Sequence, residues 1–209
     1  MGGDGPVWAV VVAAGSGARF GGPKQYERLG DRRVLDWSLA GARNVASGIV
    51  LVVSAERVGD PEPAADVVVA GGATRSASVR AGLAVVPDDA EVVVVHDAAR
   101  PAASPALFAA VVAAVRDGAD AALPGVPVVD TIKRVLGDVV ETLDRSELVA
   151  VQTPQAFRAS VLRAAHAGGA EATDDGALVE AAGGRVVVVP GEPDNLKVTT
   201  AADLDRLGR

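Results

Sequence analysis

Three separate stretches gather residue types suited to handling phosphate. The first is Ala13-Ala14-Gly15-Ser16-Gly17-Ala18-Arg19-Phe20, continued by Gly21-Gly22-Pro23-Lys24-Gln25. Glycines at the end of a strand let backbone N–H groups approach an anion closely. Arg19 and Lys24 add two fixed positive charges. Amides for some oxygens and cations for others would suit a triphosphate. The second stretch is His96-Asp97-Ala98-Ala99-Arg100-Pro101, directly after a Val-rich run. It sets a carboxylate and a cation at the carboxyl end of a strand, the edge where α/β sheets bind ligands. That pair suits Mg²⁺ and a phosphorylated substrate, although a lone Asp also serves as a helix cap. His96 has no neighbouring ligands and reads as a packing or hydrogen-bonding residue. The third stretch is Asp194-Asn195-Leu196-Lys197-Val198-Thr199.

Lysine is scarce here. There are 17 Arg and only 3 Lys (Lys24, Lys133 and Lys197), so each Lys is a candidate for a role that a planar guanidinium fills poorly. Gly71-Gly72-Ala73-Thr74-Arg75-Ser76-Ala77-Ser78-Val79 opens a further segment with glycines, hydroxyls and a cation. Thr74 or Ser76 could simply cap a helix there, or the segment could touch a base or phosphate.

The glycine loop itself leaves other readings open. A dinucleotide site wants G-x-G-x-x-G running into a helix. Gly15 and Gly17 fit that pattern, but Phe20 stands in the third glycine position. A Walker loop would need G-K-[ST], which is absent. A surface loop with chance charges is the bland alternative.

Short apolar runs must position these groups. They are residues 7–14, 48–53, 66–70, 91–95, 120–123 and 185–189, and they are dominated by Val. Runs this short and β-branched read as strands buried on both faces. Helical patterns lie between or after them at 33–47, 74–86, 105–117, 159–168, 174–182 and 200–207. The alternation predicts an α/β, Rossmann-like, mostly parallel sheet flanked by helices. Residues 130–135 and 139–143 are too polar for a central strand and are separated by Gly137-Asp138, a hairpin signal. They read as a protruding β-hairpin arm, about 126–153, or as a solvent-facing edge hairpin. Residues 1–209 otherwise read as one domain.

Composition narrows the function. Apolar residues make up 49% of the chain, chiefly 41 Ala and 38 Val, while aromatics are 3%. The net charge of −7 argues against a nucleic-acid partner. An anionic substrate would need cations gathered locally. Cysteine is absent, which removes disulfides, thiolate metal sites and cysteine nucleophiles. No apolar run reaches the ~18 residues of a membrane span. No basic region precedes the first apolar stretch. A cytoplasmic location is the expectation.

Eight pieces in register resemble the 2-C-methyl-D-erythritol 4-phosphate cytidylyltransferase family. They are AAGSGARFGGPKQY (13–26), GGATRSASVRAGL (71–83), VVHDAARP (94–101), DTIKR (130–134), LDR (143–145), QTPQAF (152–157), ATDDGALVE (172–180) and DNLKVTTAADL (194–204). The resemblance implies a transferase joining CTP to a polyol phosphate in isoprenoid synthesis, with Mg²⁺ or another divalent cation. It implies that Ala14, Gly15, Ser16 and Gly17 wrap the CTP phosphates, and that Gly72 and Ser78 form the cytosine pocket. Arg19 and Lys24 become the transition-state cations and Asp97 the metal-side carboxylate, with Arg100 beside it. Acceptor contacts fall on Thr131, Arg145, Thr153 and Lys197. An acidic residue often follows the second glycine of the cytosine pocket; here it is Ala73. Asp194 could assist the metal or cap a turn. The resemblance also implies a homodimer in which the arm carries Arg145 to the neighbouring site; the rather short chain reads as the transferase alone, with no fused second enzyme. Rival readings are a ribitol 5-phosphate cytidylyltransferase, a nicotinamide-dependent oxidoreductase and a non-catalytic nucleotide sensor.

Overall fold

The structure is a computed structural model that describes residues 5–208. The strands, in chain order, are β1 (Val7–Val12), β2 (Arg28–Leu29), β3 (Arg32–Arg33), β4 (Gly48–Val53), β5 (Val67–Ala70) and β6 (Val92–Asp97). They continue with β7 (Ala121–Pro127), β8 (Lys133–Leu136), β9 (Val139–Thr142), β10 (Val149–Val151), β11 (Gln155–Arg158) and β12 (Val186–Pro190). The helices are α1 (Val34–Arg43), α2 (Arg75–Leu83), α3 (Pro105–Arg116), α4 (Ala159–His166), α5 (Asp175–Ala181) and α6 (Ala201–Leu207).

Eight strands form the main sheet. Strands β6, β1, β4 and β5 lie side by side and parallel. β11 runs antiparallel between β6 and β7. β7 carries β12 along one edge and, along the other, β11 at its start and β10 at its end. The sheet is therefore mixed on one side of β6 and parallel on the other.

Alternation within each strand sorts the core into two layers. Ala9 and Val11 of β1, Ile49 and Leu51 of β4, and Val92 and Val94 of β6 pack with Leu35 and Leu39 of α1 and Phe108 and Val111 of α3. Val10, Val50, Val52, Val93 and Val95 face the other way, against Val79 of α2, Leu162 of α4 and Val179 of α5. β4 and β6 are buried at every position because helices cover both faces.

The apolar runs coincide with strands, with three main differences in extent. β1 ends at Val12, two residues before the run does. β6 continues through His96 and ends on Asp97, so the carboxylate is the last residue of the strand. β7 continues through Pro124 to Pro127. β2, β3, β10 and β11 go beyond the sequence expectation. The expected hairpin is present as β8 and β9, which pair with each other in a separate two-stranded sheet. Gly137, at φ 60°, makes its turn. Among the described residues no helix is long and apolar enough to cross a membrane.

Candidate functional site

Strand order places the site. The chain runs from β1 outward to β4 and β5, then returns to β6 on the other side of β1. That reversal opens a crevice at the carboxyl ends of β1 and β6. Val12 and Asp97 are register partners across it. The glycine loop and the carboxylate are thus neighbours by sheet geometry. A cleft of about 520 Å³ lies there, lined by the loop 13–20, Lys24, Gly72, Ser78, Asp97 and Lys197, among others.

The loop turns without starting an α-helix. Gly17 sits at φ 67°, and its carbonyl accepts N–H bonds from Phe20 (2.8 Å), Gly21 (3.1 Å) and Gly22 (3.3 Å). A short 3₁₀ turn, Lys24–Tyr26, follows, and the next α-helix begins only at Val34. A dinucleotide-binding loop would feed straight into its helix, so the nicotinamide reading loses its structural basis. Gln25 is buried and donates from Nε2 to the carbonyls of Ala13 (2.6 Å) and Gly15 (3.1 Å). It fastens the start of the loop to the residue after Lys24.

A Cβ at Gly17 would lie 1.8 Å from the Gly22 carbonyl oxygen. Both partners are backbone, so the turn would have to move. Lys24 N–H bonds that same oxygen at 2.8 Å. Gly17→Ala should therefore lower kcat/KM by a factor on the order of 10² through a displacement of about 1 Å, with the fold retained. Steady-state kinetics together with a thermal melt check this; near-normal kinetics would contradict the placement.

Asp97 is clasped by two cations. Arg75 Nε lies 3.2 Å from Oδ1 and Lys197 Nζ 2.5 Å from Oδ2. Burial alone would raise the Asp97 pKa, but the charges of Arg75 and Lys197 outweigh it and hold the carboxyl well below its ordinary range. Lys24 moves the other way: burial first, then the charges of Lys197 and Arg19, lower its pKa. Three cations therefore share one electrostatic neighbourhood in a chain whose net charge is −7. Such focusing draws in anions.

His96 supports the site from below. It is fully buried beside Phe108, with ring centroids 4.9 Å apart. Its Nε2 lies 3.2 Å from the Arg100 carbonyl, which makes that nitrogen the protonated one. The Thr153 hydroxyl accepts the Asp97 N–H at 3.0 Å and donates toward His96 Nδ1 at 3.2 Å. Burial lowers the His96 pKa to about 4. Below about 6.5 the unfolded chain takes up a proton that the folded chain refuses, so stability falls as pH drops from 6.5 to 4. The loss is on the order of 3 kcal/mol from a shift of this size. Melting curves at pH 7, 6 and 5 test it, and a flat profile would contradict it.

The sequence candidates divide into three groups. Ala14, Gly15, Ser16, Gly17, Arg19, Lys24, Gly72, Ser78, Asp97 and Lys197 all line the cleft. Ala73 lines it too, with no acidic group to offer. Thr153 and Arg100 sit behind it. Arg100 Nη1 donates to the Asn195 carbonyl at 2.7 Å and so helps seat the segment carrying Lys197. Thr131 and Arg145 are exposed on the excursion between β7 and β10, and the Arg145 guanidinium bonds the Val129 carbonyl. Asp194 is exposed and does not line the cleft. Thr74 caps α2, accepting from Ala77 N at 3.0 Å.

Among the cleft-lining side chains that make polar contacts, sequence reasoning misses Arg75 and Gln25. Arg75 reads there only as a cation in a capped helix start, and Gln25 only as part of a motif. Both positions lie inside motifs matched to the family, and that is the available signal.

Comparison with known proteins identifies the family. Residues 7–207 match the family model for 2-C-methyl-D-erythritol 4-phosphate cytidylyltransferase. A Rhodococcus opacus (strain B4) protein of that name is 49% identical over 97% of this chain and 93% of its own. A bifunctional IspD/IspF enzyme of Clavibacter michiganensis subsp. michiganensis (strain NCPPB 382) is 47% identical, and the chain spans about half of it (54%). The crystal structure of 2-C-methyl-D-erythritol 4-phosphate cytidylyltransferase from Thermus thermophilus superposes with a TM-score of 0.82 at 35% identity, covering 95% of this chain and 96% of that one. With sequence and fold in agreement, the chain belongs to the 2-C-methyl-D-erythritol 4-phosphate cytidylyltransferase family.

Proposed function

We propose that the protein transfers the cytidylyl group of CTP to 2-C-methyl-D-erythritol 4-phosphate and releases pyrophosphate. The observation that carries this is the convergence of Arg19, Lys24, Lys197 and Asp97 on one glycine-loop cleft. An oxygen of the acceptor phosphate attacks the α-phosphorus, and the bond from that phosphorus to the pyrophosphate oxygen breaks. A phosphate monoester with a second pKa of ~6 is largely dianionic at neutral pH. The nucleophile therefore needs no general base.

The barrier is electrostatic. Two unit charges 4 Å apart repel by about 4 kcal/mol at an effective dielectric of 20. Backbone amides of the loop, Lys24, Arg19 and Lys197 offset that repulsion and hold the attack in line. Lys197 bonds Asp97 here, so a triphosphate competes with the carboxylate for its ammonium.

A divalent cation fits the residues present. Mg²⁺ commonly takes one or two carboxylates and completes its shell with substrate phosphates and water. Asp97 offers one ionised carboxylate at the edge of the cleft. Among the described residues no cluster of three or more His, Cys, Asp or Glu could hold a metal without the nucleotide. Bound there, the ion would neutralise phosphate charge and act as a Lewis acid.

The arm supports a homodimer. Val135 (63%), Leu136 (66%), Val139 (66%) and Val140 (61%) are all mostly exposed on one hairpin. Aliphatics massed on a projection call for a covering surface, and a second copy meeting it across a two-fold axis gives a closed assembly. Arg145 would then reach the neighbouring cleft.

Pyrophosphate release from CTP, measured against a panel of polyol phosphates, tests the reading. The methylerythritol phosphate should be the preferred acceptor. Preference for ribitol 5-phosphate would reassign the substrate, and CTP binding without release for any acceptor would overturn the enzyme.

A further inference from the structure

The segment ATDDGALVE (172–180) has no part in the reaction described so far. It nevertheless carries a carboxylate with no solvent exposure. Asp175, the first residue of α5, is fully buried. Its Oδ2 meets Arg75 Nη1 at 2.7 Å and its Oδ1 meets His166 Nε2 at 2.9 Å. The other side of the same guanidinium, Nε, holds Asp97 Oδ1 at 3.2 Å. A buried charge persists only where it is paired and hydrogen-bonded. Asp175 meets that condition through one cation of the cleft and one histidine behind it.

We propose that Asp175, seated by His166, is a positioning residue that holds Arg75 in its aim at Asp97. A planar guanidinium fixed at two points has its orientation set. One positive charge is then divided between two carboxylates. Without Asp175 the whole fork is free to turn onto Asp97, which changes both the position and the effective charge of the carboxylate in the cleft.

The surroundings of Asp175 are braced in the same sense. The Asp174 side chain caps α5 through Ala177 N (3.0 Å) and accepts from Gln155 Nε2 of β11 (3.3 Å). The Ser76 hydroxyl bonds Ala172 at both N and O (3.3 Å each). Arg80 bonds the Ala170 carbonyl at 2.9 Å and Glu171 at 2.6 Å. Residues 170–175 are thus strapped across α2, the helix that carries Arg75. The His166 ring is anchored to Asp175 at Nε2, while its Nδ1 is buried without a partner. Its one hydrogen bond is therefore the one to this carboxylate.

The inference rests on the cytidylyltransferase reading and is tested by a double-mutant cycle. Asp175→Asn and Arg75→Met are made singly and together, with kcat, KM for CTP and melting temperature measured for each. Asp175→Asn should lower kcat by roughly tenfold, and its effect should vanish in the Arg75→Met background. Losses that multiply in the double variant would show that Asp175 acts independently of Arg75 and would overturn the proposal. If Asp175→Asn does not fold, His166 supplies the second route. His166→Leu should lower kcat a few-fold in the wild-type background and not at all beside Arg75→Met, while His166→Gln, which keeps a donor, should restore most of it. A further readout needs no turnover. The Arg75 Nη1–H protons, the ones Asp175 holds, should be slow to exchange with solvent in ¹⁵N NMR of the wild type and fast in the Asp175→Asn or His166→Leu variants; equal exchange would count against the proposal. An inactive wild type would sink the enzyme reading alone, and an active wild type with multiplying losses would sink only the positioning role.

Discussion

Replacing Lys24 by Ala should lower turnover by a factor on the order of 10² to 10³, the loss expected when one preorganised charge donor is removed from a developing anion. Lys24 starts the 3₁₀ turn after the glycine loop and lines the cleft with Arg19 and Lys197. Burial and those two neighbouring cations lower its pKa. In the free enzyme the ammonium is thus held against an unfavourable environment, and an incoming polyphosphate relieves it. The interaction strengthens as charge builds on the departing pyrophosphate, so the effect should fall mainly on kcat. Its cost to stability should be small, because removing a cation from a cluster of cations relieves repulsion. Steady-state kinetics with a parallel melt decide the matter, and a loss under threefold would contradict the role. The lowered pKa adds a sign: kcat/KM should begin to fall on the alkaline side before an ordinary lysine would titrate.

The second large effect concerns the arm. If the protein assembles as the proposed arm-linked homodimer, Lys24→Ala and Arg145→Ala dimers should each be nearly inactive. Mixed dimers should regain activity, because one composite site of each pair keeps both groups. Random reassortment makes about half of the dimers mixed, with one intact site in two, so recovery should approach about a quarter of wild-type activity. The parental variants share the fold, since Arg145 is exposed and bonds only a carbonyl of its own arm among the described residues. Separately tagged subunits, purified through both tags, give the mixed species. No recovery in such dimers would place Arg145 in the site of its own subunit.

Much of this arrangement is legible in the residues. Val-rich runs bounded by Gly, Pro and Asp mark the parallel strands, because a strand covered on both faces admits little else. The glycine loop, Asp97 and Lys197 stand out because their types are rare or oddly placed for a core. The antiparallel strands do not. β11 carries Gln155 in the interior, and its approach, Gln152-Thr153-Pro154, has the composition of a loop. The burial of Gln152 and Thr153 is compensated by partners far along the chain, Asn195 for Gln152 and the Asp97 N–H for Thr153. β7 reads short in the sequence for a similar reason, since Pro124 and Gly125 usually end a strand. Asp175 is hidden in another way. An acidic residue in the first turn of a helix normally complements its dipole at the surface, and nothing local distinguishes one that is buried against an arginine 100 positions away.

The amide of Gln25 has a consequence for how the enzyme could change. By gripping the carbonyls of Ala13 and Gly15 from the position next to Lys24, it makes cradle and charge one mechanical unit. An inserted or deleted residue between 17 and 22 would shift the lysine and slacken the cradle at once. Loop length here is therefore under a joint constraint. Substitution is more readily accommodated elsewhere in the cleft lining, at positions such as Ala73, than by remodelling the turn itself.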